Sequence, residues 1–97
     1  MSADTGDRRF VVSDEAIPRL PHGFRMQFEP AQDSWVLLYP EGLIQLNGPA
    51  AEILKRVDGK TTVAQLIADL SAAFNGAELR ADVEHFLKEA SNYGWIV

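Results

Sequence analysis

The 97-residue sequence contains no cysteine and only two histidines, His22 and His85. Disulfide bonds, iron–sulfur clusters and thiolate zinc sites are therefore excluded. Neither histidine has a second ligand at metal-site spacing, so no metal or cofactor is expected. The serines lack a nucleophile elbow, and the glycines do not form a phosphate-binding loop. These absences predict a protein that is not an enzyme.

Positive charge is also scarce, because 9 Lys and Arg residues stand against 14 Asp and Glu residues and give a net charge of −5. A nucleic-acid partner needs a basic face, and the basic residues are scattered, so no such partner is expected. No apolar run reaches the length of a signal peptide core or a membrane span. We therefore expect a cytoplasmic protein without membrane contact.

The length and composition fit a single domain with one hydrophobic core. Residues 1–14 are polar, mixed in charge and without periodicity, which predicts a flexible N-terminal tail. Residues 15–97 are predicted to form the folded domain.

Three segments have the pattern of β-strands. Residues 24–30 (FRMQFEP) alternate apolar and polar side chains, and residues 34–40 (SWVLLYP) are rich in aromatic and branched ones. A turn at residues 40–42 leads to a third strand over residues 43–47. Two hairpins in series predict an antiparallel meander.

Three helices are predicted to follow the strands. The first spans residues 49–59, with Asn47 or Gly48 as its cap and a stop at Gly59. The second begins at Thr62, where Gln65 completes a capping box, and the third spans about 78–92. Because strands and helices are segregated, the fold class is α+β: a three-stranded antiparallel sheet followed by three helices, β-β-β-α-α-α, in a winged-helix-like arrangement.

The third strand is the most informative element for function, because it carries no Pro or Lys to block an exposed edge. An extended peptide could pair with such an edge, with Leu43 and Gln45 on one face and Ile44 and Leu46 on the other. Three alternatives stay open. The strand is covered by the third helix or the tail, or it pairs with a second copy in a homodimer, or the chain is a winged-helix DNA-binding module. Acidic side chains on the third helix weigh against DNA.

Several motifs, taken in their order and spacing, resemble a known family over residues 18–97. The residues that carry the resemblance are Leu37-Leu38-Tyr39-Pro40-Glu41-Gly42, Leu46-Asn47, Ile53-Leu54, Asp58-Gly59, Asp82-Val83 and Phe86-Leu87. They are similar to the PqqD family of pyrroloquinoline quinone (PQQ) biosynthesis.

The resemblance implies a peptide chaperone that binds the precursor peptide PqqA and presents it to the radical S-adenosylmethionine enzyme PqqE. It also implies a peptide groove between the third strand and the third helix. The residues that it assigns to this groove are Leu43, Ile44, Gln45, Leu46, Asn47, Asp82, His85, Phe86 and Glu89. Among them, periodicity favours core packing for Leu46 and Phe86, and Asn47 is expected to cap the first helix.

Overall fold

The computed structural model describes residues 10–97. Its strands are β1 (Arg25–Glu29), β2 (Ser34–Tyr39) and β3 (Gly42–Gln45), and its helices are α1 (Gly48–Leu54), α2 (Val63–Ala73) and α3 (Arg80–Tyr93). The predicted α+β class and the order β-β-β-α-α-α are confirmed. Across residues 10–97, none of the helices combines the length and the apolar character that a membrane crossing requires.

The three strands form one antiparallel sheet in the order β1-β2-β3. The turn between β2 and β3 has two residues, because Tyr39 pairs directly with Gly42. Gly42 has a φ of +156°, a conformation that residues with a Cβ rarely adopt, so glycine suits this position. The tight turn sets the register of β3 against β2.

The core lies between one face of the sheet and the three helices. Leu37 is the central sheet residue of this core and is fully buried. Helical side chains complete it, among them Leu54, Leu66, Val83 and Leu87, and each of these is at most 2% exposed. The helical apolar stripes therefore supply most of the surface that covers the sheet.

Two predicted boundaries are wrong. β3 ends at Gln45 rather than at residue 47, and α1 ends at Leu54 rather than near Gly59. After Leu54 the chain tightens into i→i+3 bonds, from the Val57 N–H to the Leu54 carbonyl and from Arg56 to Ile53. Val57 still reaches the core from this turn, so its apolar spacing mimicked a longer helix.

The capping box predicted for α2 forms only in half. The Thr62 hydroxyl oxygen accepts a hydrogen bond from the Gln65 N–H at 3.1 Å, as predicted. The Gln65 side chain instead donates to Asp69, one turn along the helix, at 2.8 Å. α3 begins at Arg80, whose N–H donates to the Glu78 carboxylate at 3.0 Å.

The predicted N-terminal tail falls partly outside the described residues, which begin at Phe10. From there the chain is docked rather than free, and the Ser91 hydroxyl donates to the Phe10 carbonyl at 2.9 Å. The Asp14 carbonyl accepts from the Ala64 N–H, and the Asp14 carboxylate pairs with Arg80 at 2.8 Å. The prediction treated residues 1–14 as one polar segment and so missed the two apolar anchors near its end, Phe10 and Val12.

Candidate functional site: an open strand edge beside helix α3

The outer edge of β3 presents backbone groups that the sheet leaves unpaired. Within residues 10–97, β2 is the only strand that pairs with β3. The Leu46 N–H donates to the Trp35 carbonyl at 2.9 Å, so alternation along the ladder directs Ile44 toward β2 as well. Leu43 and Gln45 consequently direct their N–H and C=O groups outward.

The side chains of β3 separate onto two faces, as the sequence predicts. Leu46 is buried and Ile44 half-buried, and both pack on the core side. Leu43 is 55% exposed on the opposite face. The Gln45 amide on that face donates to the Ser34 hydroxyl at 3.1 Å across the strands.

Helix α3 forms the opposite wall of a groove that runs along the end of β3. This β3–α3 groove has a volume of about 310 Å³. Its lining residues are Gln45, Leu46, Asn47, Pro49, Ala50, Ile53, Asp82, Phe86, Glu89, Ala90, Tyr93 and Trp95. Six of the nine residues that the resemblance assigns to the groove are therefore brought together: Gln45, Leu46, Asn47, Asp82, Phe86 and Glu89.

The other three assigned residues lie outside this lining. Leu43 is exposed on the outer face of the sheet, and Ile44 is half-buried on the core face. His85 has a side chain that is 74% exposed, and its Nε2 lies 3.5 Å from the Glu89 carboxylate. Of the three, only Leu43 has backbone N–H and C=O groups at the open edge of β3.

Two aromatic residues of the groove, Tyr93 and Trp95, were not predicted from the sequence. The ring centroids of Tyr93 and Trp95 are 5.0 Å apart, and those of Phe86 and Trp95 are 6.5 Å apart. Tyr93 is 64% exposed although it is a large side chain. A signal was present, because Asp82, Phe86, Glu89 and Tyr93 recur at intervals of four, three and four residues on one helical face.

The charge of the groove is negative. Asp82 and Glu89 line it, and within residues 10–97 none of its lining side chains is a Lys or an Arg. Arg80 on the same helix binds Asp14 and Glu84 instead, each at 2.8 Å, and these two pairings raise the pKa of its guanidinium. The described residues contain no cluster of His, Asp and Glu suited to a metal ion.

The corner between β3 and α1 holds the groove floor in place. The Asn47 carboxamide oxygen accepts the Ala50 N–H at 2.8 Å and so caps α1, as predicted. Pro49 occupies the first turn, where its missing N–H has no helical partner to lose. Further along α1, Glu52 pairs with Lys55 and Arg56, which lower the pKa of its carboxyl group.

The model of one protein family, coenzyme PQQ synthesis protein D (PqqD), matches residues 34–96. This chain belongs to the PqqD family. The matched residues span β2, β3 and all three helices, and therefore include the open edge and the whole β3–α3 groove.

Relatives within the PqqD family support this membership over most of the chain. A PqqA binding protein from Acinetobacter baylyi is 50% identical over 80 residues, covering 81% of each chain. A PqqA binding protein from Kluyvera intermedia is 48% identical, covering 88% of this chain and 94% of the relative. One from Pseudomonas aeruginosa is also 48% identical, and the match covers 89% of this chain and 95% of the relative.

A solved PqqD structure has the same fold. It is the solution NMR structure of the PqqD truncation of Methylobacterium extorquens PqqCD, described as a functional, stand-alone recognition element for ribosomally synthesised and post-translationally modified peptides. The similarity has a TM-score of 0.74 at 30% identity and covers 91% of this chain and 96% of the other.

Proposed function

We propose that this chain binds the precursor peptide PqqA by strand addition to β3 and presents it to the radical S-adenosylmethionine enzyme PqqE. The relatives from Acinetobacter baylyi and Kluyvera intermedia are PqqA binding proteins, which supports the choice of peptide. The observation that carries the mode of binding is the open edge of β3, where Leu43 and Gln45 face outward beside the groove.

The edge supplies backbone hydrogen bonds, and the groove supplies side-chain selection. Two outward residues offer two N–H donors and two C=O acceptors to an extended peptide. Alternate peptide side chains then face opposite sides of the enlarged sheet, and those on the core side meet Phe86 and Tyr93 on α3. In this arrangement the edge alone would bind extended peptides of any sequence equally well, and the side chains of α3 select among them.

A short edge favours a complex that releases its peptide. β3 has four residues, so the peptide gains few ladder hydrogen bonds and buries a small surface. We expect a dissociation constant on the order of micromolar. Such an affinity suits a chaperone, because PqqE must take over the same peptide.

Two other uses of this surface are less well supported. DNA binding through α3 would bring Asp82 and Glu89 close to phosphates, which is repulsive. Self-pairing through β3 in a homodimer would use the same backbone groups as the peptide, so the two events compete. Sedimentation with and without the peptide tests this competition, since saturating peptide should dissociate any dimer formed through β3.

Backbone methylation of the peptide tests strand addition directly. A synthetic PqqA series would carry one N-methyl group at each position in turn, with affinity measured by calorimetry. We expect that N-methylation weakens binding at two peptide positions spaced two residues apart. The reason is that the backbone carbonyls of Leu43 and Gln45 each accept one peptide N–H. Binding that tolerates a methyl group at every position would exclude strand addition while leaving peptide binding itself intact.

An NMR titration maps the surface in the same protein. Amide shifts on adding PqqA should concentrate on β3 and on the groove face of α3. Strand β1 is the internal control, because it forms the other edge of the same sheet. Equal shifts on both edges, or no shifts at saturating peptide, would contradict the proposed site.

A further inference from the structure

A second, largely apolar cleft lies just past the corner between β3 and α1. It lies between the start of α1, the end of α2 and the start of α3, and has a volume of about 590 Å³. Its apolar walls come from Pro49, Ile53, Leu70, Phe74, Leu79 and Val83. Phe74 is 46% exposed, although apolar side chains of this size are usually buried in small domains.

This α1–α2–α3 cleft is continuous with the β3–α3 groove. Pro49, Ile53 and Asp82 line both spaces. The two spaces therefore adjoin at these three residues, and a peptide that left the edge of β3 in the direction of Asn47 would come next to the cleft.

The backbone explains why the peptide needs a different kind of contact there. The chain turns from β3 into α1 at Asn47, and Pro49 has no N–H to donate. Strand pairing cannot continue past this corner, so any further affinity must come from side chains. The cleft offers apolar surface to peptide side chains at the point where the backbone no longer offers hydrogen bonds.

We propose that the α1–α2–α3 cleft binds one bulky apolar side chain of the same precursor peptide, from the segment just beyond the part that pairs with β3. This inference rests on the proposed function. Asp82 lies at the junction of groove and cleft, and within residues 10–97 no Lys or Arg lines either space. A Lys or Arg next to the apolar peptide residue is therefore favoured by charge complementarity.

Substitution of Phe74 tests the cleft, with Phe28 as a matched control. Both are phenylalanines of similar exposure, at 46% and 41%, but Phe28 lies on β1, the other edge of the sheet. Calorimetry with synthetic PqqA should show about tenfold weaker binding to Phe74→Ala and a change of less than twofold for Phe28→Ala. Equal affinities of wild type and Phe74→Ala would overturn the proposal.

A mutant cycle with the peptide identifies the side chain that enters the cleft. Each bulky apolar residue of PqqA would be replaced by Ala and titrated against wild type and Phe74→Ala. One position, outside the segment mapped by N-methylation, should lose its effect in Phe74→Ala. The absence of any coupled position would refute the cleft, whereas failure of wild type to bind PqqA would refute the proposed function itself.

Discussion

The Leu46 N–H donates to the Trp35 carbonyl at 2.9 Å, one residue beyond the end of β3. In this register the Leu46 side chain lies on the core side, and the backbone N–H and C=O groups of Gln45 point away from β2. A slip of one residue would exchange the two faces and bury Gln45, so the register is strongly specified. The buried Leu46 side chain and the outward Gln45 backbone therefore depend on one another.

The first prediction compares two leucines on paired strands. Leu37→Ala should lower the free energy of unfolding by about 2–5 kcal/mol, because Leu37 is fully buried in the centre of the core. Urea denaturation measures this loss, which is a large share of the roughly 5–15 kcal/mol expected for a domain.

Leu43→Ala is the control for that substitution. Leu43 is 55% exposed, so the same chemical change should alter stability by no more than about 0.5 kcal/mol. Similar losses at the two positions would contradict the assignment of faces on the sheet.

The second prediction concerns the cap of α1. Asn47→Ala removes the acceptor of the Ala50 N–H and should cost about 1 kcal/mol in thermal or urea unfolding. Asn47→Asp keeps an oxygen in the same place and should retain most of the stability. If both variants lost the same amount, capping could not be the cause.

The third prediction is a pH dependence from the ion pairs of Glu52. Lys55 and Arg56 lower its pKa below the usual 4.5 in the folded protein. Stability from this carboxylate is therefore present above pH 4.5 and lost as the pH falls through the folded pKa. Glu52→Gln should be less stable than wild type at pH 7, by at most about 1 kcal/mol because the pairs are partly exposed.

The difference between wild type and Glu52→Gln should shrink in urea titrations below pH 4.5. Glu41→Gln, on the exposed turn between β2 and β3, is the control because it makes the same chemical change at a residue outside these ion pairs. A gap between wild type and Glu52→Gln that stayed constant from pH 7 to pH 3 would argue against the ion pairs.

The fourth prediction uses two glycines at opposite kinds of helix end. Gly94 follows α3 with a φ of +81°, so Gly94→Ala should destabilise the protein by about 1 kcal/mol. Gly48 opens α1 with open space around an added Cβ and no positive φ, so Gly48→Ala should be neutral or stabilising by up to about 1 kcal/mol. Thermal unfolding of both variants checks the opposite signs.

The sequence predicts the order of elements well, because each element carries its own local signals. Alternation marks β1, and aromatic and branched residues mark β2. Asn47 and Thr62 mark helix starts, and each side-chain oxygen accepts the expected backbone N–H. Element boundaries were harder to predict where the apolar spacing continues past the end of the regular element. Val57 is the example, since it packs into the core from a turn outside α1.

The candidate site was only partly predictable. The edge position of β3 follows from its place in the meander, and six of the assigned residues do line the groove. The groove also includes Trp95 beyond the end of α3, a residue that no pattern in β3 or α3 indicates. The cleft at Phe74 depends on how three helix ends meet, and helix crossing is a tertiary property that local periodicity does not specify.

The corner at Asn47 and Pro49 has a consequence for the chemistry that follows binding. If peptide pairing stops at this corner, the corner fixes the place on the protein surface where the unpaired part of the peptide begins. It therefore also fixes the distance that this part must span to reach the active site of the enzyme proposed to modify it. A precursor peptide shortened within that part should then lose its modification while it binds β3 with unchanged affinity.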